Sequence, residues 1–329
     1  MIVRGEVKLS NKDTTLDNQR GGILLIDVDS KIPNLALMKI STVYKNMGYK
    51  VGFNVSDPEY IYASCVFKKN KHKLDGLEYL YPNAIIDKGG SGYDVTRKLP
   101  DQIEQASPDY DLYPDCDRFY GFSTRGCIRN CHFCIVNKKE GGFRRVYSTA
   151  HECLVNICGH NSWDRFDKIE FLDNNILVDK DWFMELTFEI MANHKRWKVD
   201  FNQGLDVRLL DSEIAERLSK LKPITCWKFA FDSMGYKDHV LRGIQLLKDA
   251  GIDTHHKVMF YVYCHNGEQV PDAVERCRIL KENNVTAYSM LNIDVPHTYE
   301  MKKLKHWTRP WAFWKSDFDE YKYGKVGSL

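Results

Sequence analysis

Between residues 118 and 296, short apolar runs alternate with helix-patterned segments, and this constrains the fold more than any other feature of the 329-residue chain. The runs are RFYGFST (118–124), KIEFL (168–172), KVDFN (198–202), CWKFAFD (226–232), HHKVMFYVY (255–263) and AYSMLNI (287–293). Helices are expected from near Ser148, from Trp182 to His194, and from the capping Asp211 through Leu221. Two more are expected from about Asp238 to Gly251 and from Pro271 to near Asn284. A strand that returns in the same direction needs a crossover, so strands joined by helices pair in parallel. Six such units are too few to close an eight-stranded barrel. The expected fold is α/β, an incomplete (β/α)6 barrel over 118–296, with chemistry at the carboxyl ends of its strands.

Residues 1–20 are polar and aperiodic and read as an N-terminal extension or edge strand. Residues 21–98 read as a small Rossmann-like α/β layer. Its first strand is the run Ile23 to Ile26, followed by a helix over Asn34–Gly48 (Leu35, Met38, Val43, Met47). KVGFNV, IYASCVF and NAIID supply further strands, and KKNKHK (Lys68 to Lys73) a solvated face. Residues 99–117 contain Pro100, Pro108 and Pro114, have no sustained period, and read as a linker. Residues 297–329 form an aromatic, basic tail in which Trp307, Trp311 and Trp314 alternate with lysines and Arg309. That pattern suits either stacking on nucleobases or aromatic packing against the side of the open barrel.

Apolar residues make up 43% and charged residues 28%, which supports a sizeable core. No window approaches the roughly 18 apolar residues of a membrane span, and the first residues contain no apolar signal core. The chain is therefore expected to be soluble, cytoplasmic and without a membrane partner. A net charge of +2 excludes a strongly polybasic nucleic-acid binder. The charge is uneven: residues 85–117 carry eight acidic and three basic side chains, and residues 117–150 seven basic and two acidic. Such a basic region either attracts an anionic substrate or is a solvated face.

In a reducing compartment, clustered cysteines read as metal ligands or redox groups. Seven of the ten cysteines are scattered, and Cys153 and Cys158 share a predicted helix and read as packing. Cys127, Cys131 and Cys134 instead form C-x3-C-x2-C directly after the first barrel strand. Three thiolates in one loop can hold three irons of a [4Fe–4S] cluster and leave the fourth open. The competing reading is a Cys3His zinc site with His151 or His160 as the fourth ligand.

The C-x3-C-x2-C motif, with the aromatic Phe133 before its third cysteine, resembles that of radical S-adenosylmethionine (SAM) enzymes. The resemblance covers about residues 118–296. It implies that SAM chelates the open iron and that an electron from the cluster cleaves its S–C5′ bond. The resulting 5′-deoxyadenosyl radical abstracts hydrogen from a substrate. A one-electron reductant, flavodoxin- or ferredoxin-like, is implied as partner. The strand ends then become candidate SAM contacts: Asp173 and Asn174; Asn202, Gln203 and Arg208; Asp232, Ser233 and Arg242; and Asn292. Asp173-Asn174 stands where the family often has Gly-Gly-Glu. Cys264 is a candidate hydrogen donor to a substrate radical.

An N-terminal Rossmann-like layer resembles the cobalamin-binding subgroup of that family. The cobalt-ligating His is missing: the loop reads Asp27-Val28-Asp29-Ser30-Lys31, although Ser64-Cys65-Val66 and Gly89-Gly90-Ser91-Gly92 loosely match the later segments. Cobalamin is thus possible but not favoured. The leading reading is a radical SAM enzyme acting on an unidentified nucleic acid, peptide or small molecule. A cobalamin-dependent radical methyltransferase is the narrower alternative. A non-catalytic iron–sulfur or zinc module that binds nucleic acid is the alternative of another class.

Overall fold

The computed structural model describes residues 20–159, 162–194 and 196–324. Residues 1–19 of the extension expected over residues 1–20, and the candidate ligand His160, lie outside the described residues, while Arg20 opens the first strand.

The first layer contains β1 (Arg20–Asp27), α1 (Leu35–Asn46), β2 (Tyr49–Gly52), β3 (Pro58–Ser64), α2 (Leu77–Leu80) and β4 (Ile85–Gly89). Its strands form one parallel sheet in the order β2-β1-β3-β4. Ile23 and Leu25 of β1 pack with Leu37, Met38 and Ile40, while Leu24 packs with Val55 and Ile61. Burial on both faces explains the unbroken apolar run. Asn34 starts α1 by accepting the Leu37 amide at 3.2 Å.

The segment expected as a linker is packed. It contains α3 (Asp101–Glu104), and Ile103, Tyr110 and Leu112 are buried. The Tyr110 hydroxyl donates to the Ile157 carbonyl at 2.8 Å and accepts the Tyr120 amide at 2.9 Å. Ser41 and Lys45 of α1 donate to Asp109 at 2.6 and 2.7 Å. These contacts come from isolated side chains and follow no helical or strand period.

The second part runs β5 (Phe119–Gly121), β6 (Thr124–Arg125), α4 (Val136–Lys139), β7 (Arg144–Arg145), α5 (Ala150–Cys158) and β8 (Lys168–Phe171). It continues through α6 (Lys180–Asn193), β9 (Lys198–Phe201), α7 (Ser212–Lys220), β10 (Trp227–Ala230), α8 (Lys237–Asp249) and α9 (Thr254–Lys257). β11 (Val258–Cys264), α10 (Val270–Glu282), β12 (Thr286–Leu291), α11 (Tyr299–Trp307) and α12 (Pro310–Phe313) complete it. β5-β8-β9 and β10-β11-β12 are parallel sheets. Parallel bridges at Val199–Pro223 and Leu205–Phe229 join them, so six strands follow one another in chain order. β6 and β7 form a short antiparallel pair that frames the cysteine segment. The chain is mixed α/β built on parallel sheets.

One face of these strands is charged. Tyr120, Glu170 and Asp200 stand in register across β5, β8 and β9. Arg118 donates to Glu170 at 3.1 Å, and Lys228 donates to Asp200. The alternating residues Ile169, Phe171, Val199 and Phe201 join the apolar core, where Phe201 meets Phe183 of α6 at 5.6 Å. Asp211 caps α7 as expected, accepting the Ile214 amide at 2.9 Å. The His255–Lys257 stretch, expected as strand, is the helical turn α9, because Asp253 accepts the His255 and His256 amides at 3.0 and 3.3 Å. In the tail, Trp307 is buried and donates to the Ser316 carbonyl at 3.0 Å. The Thr308 hydroxyl accepts the Ser289 amide at 3.1 Å and pins α11 to β12. Among the described residues no helix is long and apolar enough to cross a membrane.

Candidate active site

The cysteine loop leaves β6 through Gly126, whose φ is 81°. A Cβ there would lie 2.2 Å from the Gly142 carbonyl oxygen, so only glycine fits the turn. Three strand ends then hold the loop. After β8, Asn174 accepts the Gly126 amide at 2.9 Å, and the Asn175 amide group donates to Cys127 Sγ at 3.5 Å and to Asp206 at 3.3 Å. After β9, Asp206 accepts Arg129 Nε at 2.9 Å, while the Arg129 backbone amide donates to Cys127 Sγ at 3.3 Å. On β11, Tyr263 stacks on Phe133 with centroids 4.1 Å apart and planes at 22°. Phe133 is thus a loop anchor within the motif.

All three thiols are unpaired; Cys134 is exposed and the other two are half-buried. Burial pushes the Cys131 thiol up, Cys134 adds to this, and Arg208 opposes it. Among the described residues no three His, Cys, Asp or Glu side chains converge as the ligands of a metal ion. One tetrahedral zinc needs thiolates all within about 2.3 Å of a single point, whereas a cluster holds each thiolate on a different iron. His151 is not a fourth ligand here: it is turned to Glu189 at 3.1 Å, with its side chain 70% exposed. The donor set suits a cluster, with three thiols on one loop and two N–H donors directed at Cys127 Sγ. Beside it, the buried Asn175 Oδ1 has no hydrogen-bond partner and can accept one from a bound ligand.

The strand-end residues divide. Asp173 is fully engaged by the chain: it accepts the Ser123 and Thr124 amides at 3.0 and 2.5 Å and their hydroxyls at 2.7 and 2.5 Å. It fixes the outlet of β5 through these contacts. Ser233 caps the following turn by accepting the Gly235 amide at 3.2 Å. Arg208 grips Asp206 at 2.7 and 3.0 Å, and its guanidinium lies 4.4 Å from the Tyr236 ring centre. Arg242 donates to the Arg208 carbonyl at 3.4 Å. Asp232 accepts the Tyr263 amide at 3.1 Å, and burial pushes its carboxyl up. Asn292 donates to His265 at 3.1 Å. Cys264 is 0% exposed, and its thiol is directed onto the Asn266 carbonyl at 3.3 Å. Its neighbour Tyr263 is the residue of that strand which meets the cysteine loop.

Several participants carry no sequence signal of their own. Asp206, Asn175, Tyr263 and His265 acquire roles only through partners distant in the chain. The buried Arg276 ties two strand ends together through the Phe231 and Tyr263 carbonyls at 2.6 and 3.0 Å.

A cavity of about 1630 Å³ separates the two layers. Ser30, Ser64 and Gly90 line it from the first layer, and Arg125, Asn202 and Gln203 from the second. Arg125, Lys139, Arg144 and Arg145 face this cavity, whereas Arg129 belongs to the cysteine loop. Two glycines of the first layer's glycine-rich turn are required by its own backbone. A Cβ on Gly90 would lie 2.3 Å from the Cys65 carbonyl oxygen, and one on Gly92 2.5 Å from the Phe67 carbonyl carbon. Both glycines make room for the chain's own backbone. Asp29 after β1 is likewise engaged by the chain, accepting the Val66 and Phe67 amides at 2.7 and 3.0 Å.

No family model and no curated protein sequence matches the chain. What the site does is therefore read from its own residues.

Proposed function

We propose that the chain is a radical SAM enzyme carrying one [4Fe–4S] cluster on Cys127, Cys131 and Cys134. The observation that supports this best is the attachment of one three-thiol loop to the carboxyl ends of β8, β9 and β11. On this reading the six strands are the wall of an incomplete barrel, and the first layer is Rossmann-like. When bound, the cluster and SAM supply reductive cleavage of a sulfonium C–S bond and hydrogen abstraction from an unactivated C–H. The chain supplies position. Asn175 and the Arg129 amide orient Cys127, Asp206 balances Arg129 and Arg208, and Phe133 on Tyr263 holds the far side of the loop. Asn175 Oδ1 offers an acceptor to a ligand ammonium, while Asn202 and Gln203 face the cavity from which substrate arrives. A one-electron reductant completes the reaction.

Anaerobic reconstitution with iron and sulfide, followed by dithionite and SAM, tests this by mass spectrometry of 5′-deoxyadenosine. Wild type is expected to form it and the Cys127→Ala/Cys131→Ala/Cys134→Ala variant to form none while staying folded. A wild-type cluster that binds no SAM refutes the reading.

A further inference from the structure

Lys39, Arg125 and Lys139 meet Glu104 and Glu140 on the wall between the layers. Lys39 donates to the Glu104 carbonyl and lies 3.4 Å from its carboxylate. Arg125 pairs with Glu104 and, at 3.1 Å, with Glu140, its guanidinium 3.6 Å from the Phe122 ring centre. Lys139 lies 3.8 Å from Glu140. Three cations therefore share two carboxylates where water is largely displaced, and burial pulls the pKa of both lysines down. Arg144 adds a fourth cation. It donates to the Glu140 carbonyl at 2.8 Å, and among the described residues no carboxylate forms an ion pair with it. Two positive charges thus remain unmatched on this wall. The whole lining repeats the excess, with eight Lys and Arg against six Asp and Glu.

The cavity also lies where an open parallel sheet takes ligands. In the order β2-β1-β3-β4 the chain reverses direction at β1/β3, and the crevice outside those carboxyl ends is the usual binding position. Ser30, just beyond β1, and Ser64, at the end of β3, accept from the Asn34 side-chain Nδ2 at 2.9 and 2.8 Å. Each keeps its hydroxyl proton for another acceptor.

We propose that this cavity binds a small molecule bearing a phosphate monoester, its dianion held by Lys39, Arg125, Lys139 and Arg144. A carboxylate would neutralise only one of the two unmatched charges. The inference requires no cluster, so its test is separate from that of the radical reading. Calorimetric titration of the full chain with inorganic phosphate, glycerol 3-phosphate and acetate at matched ionic strength provides that test. Both phosphates are expected to bind saturably, and acetate at least tenfold more weakly. Arg144→Gln alters an exposed side chain and keeps the fold, and Lys39→Met removes a buried charge; each is expected to weaken phosphate binding at least tenfold. An unchanged circular dichroism melt of Arg144→Gln would attribute its loss to the ligand contact. The absence of saturable phosphate binding, equal affinity for acetate, or undiminished binding by Arg144→Gln would overturn the proposal. SAM cleavage by the reconstituted protein is read independently, so either result can fail without the other.

Discussion

Replacing Lys228 by Met removes the cation that donates directly to Asp200, and the cost can be worked from burial. The two side chains are 11% and 6% exposed. Burial pushes the Asp200 carboxyl up while Lys228 holds it down, and the neighbouring Glu170 is already assigned to Arg118 at 3.1 Å. Lys228→Met preserves length but leaves a buried carboxylate alone, which costs about 3–5 kcal/mol. With a urea dependence of about 3 kcal/mol per molar, the unfolding midpoint falls by about 1 M or more. Asp200→Asn added to Lys228→Met is expected to recover most of the loss, because a matched neutral pair carries no ionic desolvation. The pH dependence follows in sign. A carboxyl raised above its ordinary 3.8 in the folded state binds more protons there than when unfolded. Stability from this group is therefore complete below that value and falls as pH rises through the raised pKa. The deficit of Lys228→Met shrinks in acid accordingly. Urea unfolding followed by circular dichroism at pH 7 and pH 4 measures all of this. A Lys228→Met variant within 1 kcal/mol of wild type at pH 7, or a double variant no better than the single, refutes the reasoning.

Three further outcomes are expected. Gly243→Ala places a Cβ 2.3 Å from Val207 Cγ2, an overpacking expected to cost about 1–3 kcal/mol and to lower the thermal midpoint. Cys264→Ala is expected to leave 5′-deoxyadenosine formation at the wild-type level and to cost only about 1 kcal/mol of stability, because its thiol is sealed in the core; loss of turnover with the fold intact would restore a chemical role. Asp117 is held down to about 2 by Arg118 and Lys168, so its stabilisation is complete above 3.8 and is lost as pH falls through about 2. Asp117→Asn is therefore expected to flatten the acid limb of an unfolding titration, modestly, because the carboxylate is half exposed and solvent-screened.

The strand–helix alternation was legible because the units carry their own periods and helix-start residues, as the capping Asp211 and the first-turn Pro271 do. The charged face was not anticipated: KIEF and KVDF each place an acid at the third position, and only the parallel register sets Glu170 beside Asp200. Other features depended on partners that pattern cannot supply. Asp173 ends a strand, as a cofactor contact would, but its four donors come from Ser123 and Thr124, about fifty residues earlier. In β11 every residue from Val258 to Cys264 is apolar, aromatic or thiol, so the sequence could not tell that Tyr263 meets the loop and Cys264 the core. The 99–117 segment lacks a period because single side chains, Tyr110 above all, make its contacts.

Two cationic regions emerge where the sequence has one basic stretch. Arg125 and Arg129 are four residues apart, yet Gly126 turns the chain between them at a φ of 81°. Arg125 consequently joins Lys39, Lys139 and Glu104 on the cavity wall, while Arg129 joins Arg208 on Asp206 beside Cys127. Each group retains net positive charge after its own carboxylates are counted. A thiolate-held cluster and an anionic ligand would therefore draw on different arginines, and binding one would not strip counter-charge from the other. Asn202 and Gln203 stand at the end of β9, facing the cavity, on the same strand outlet that presents Asp206 to the loop. That outlet therefore borders both regions.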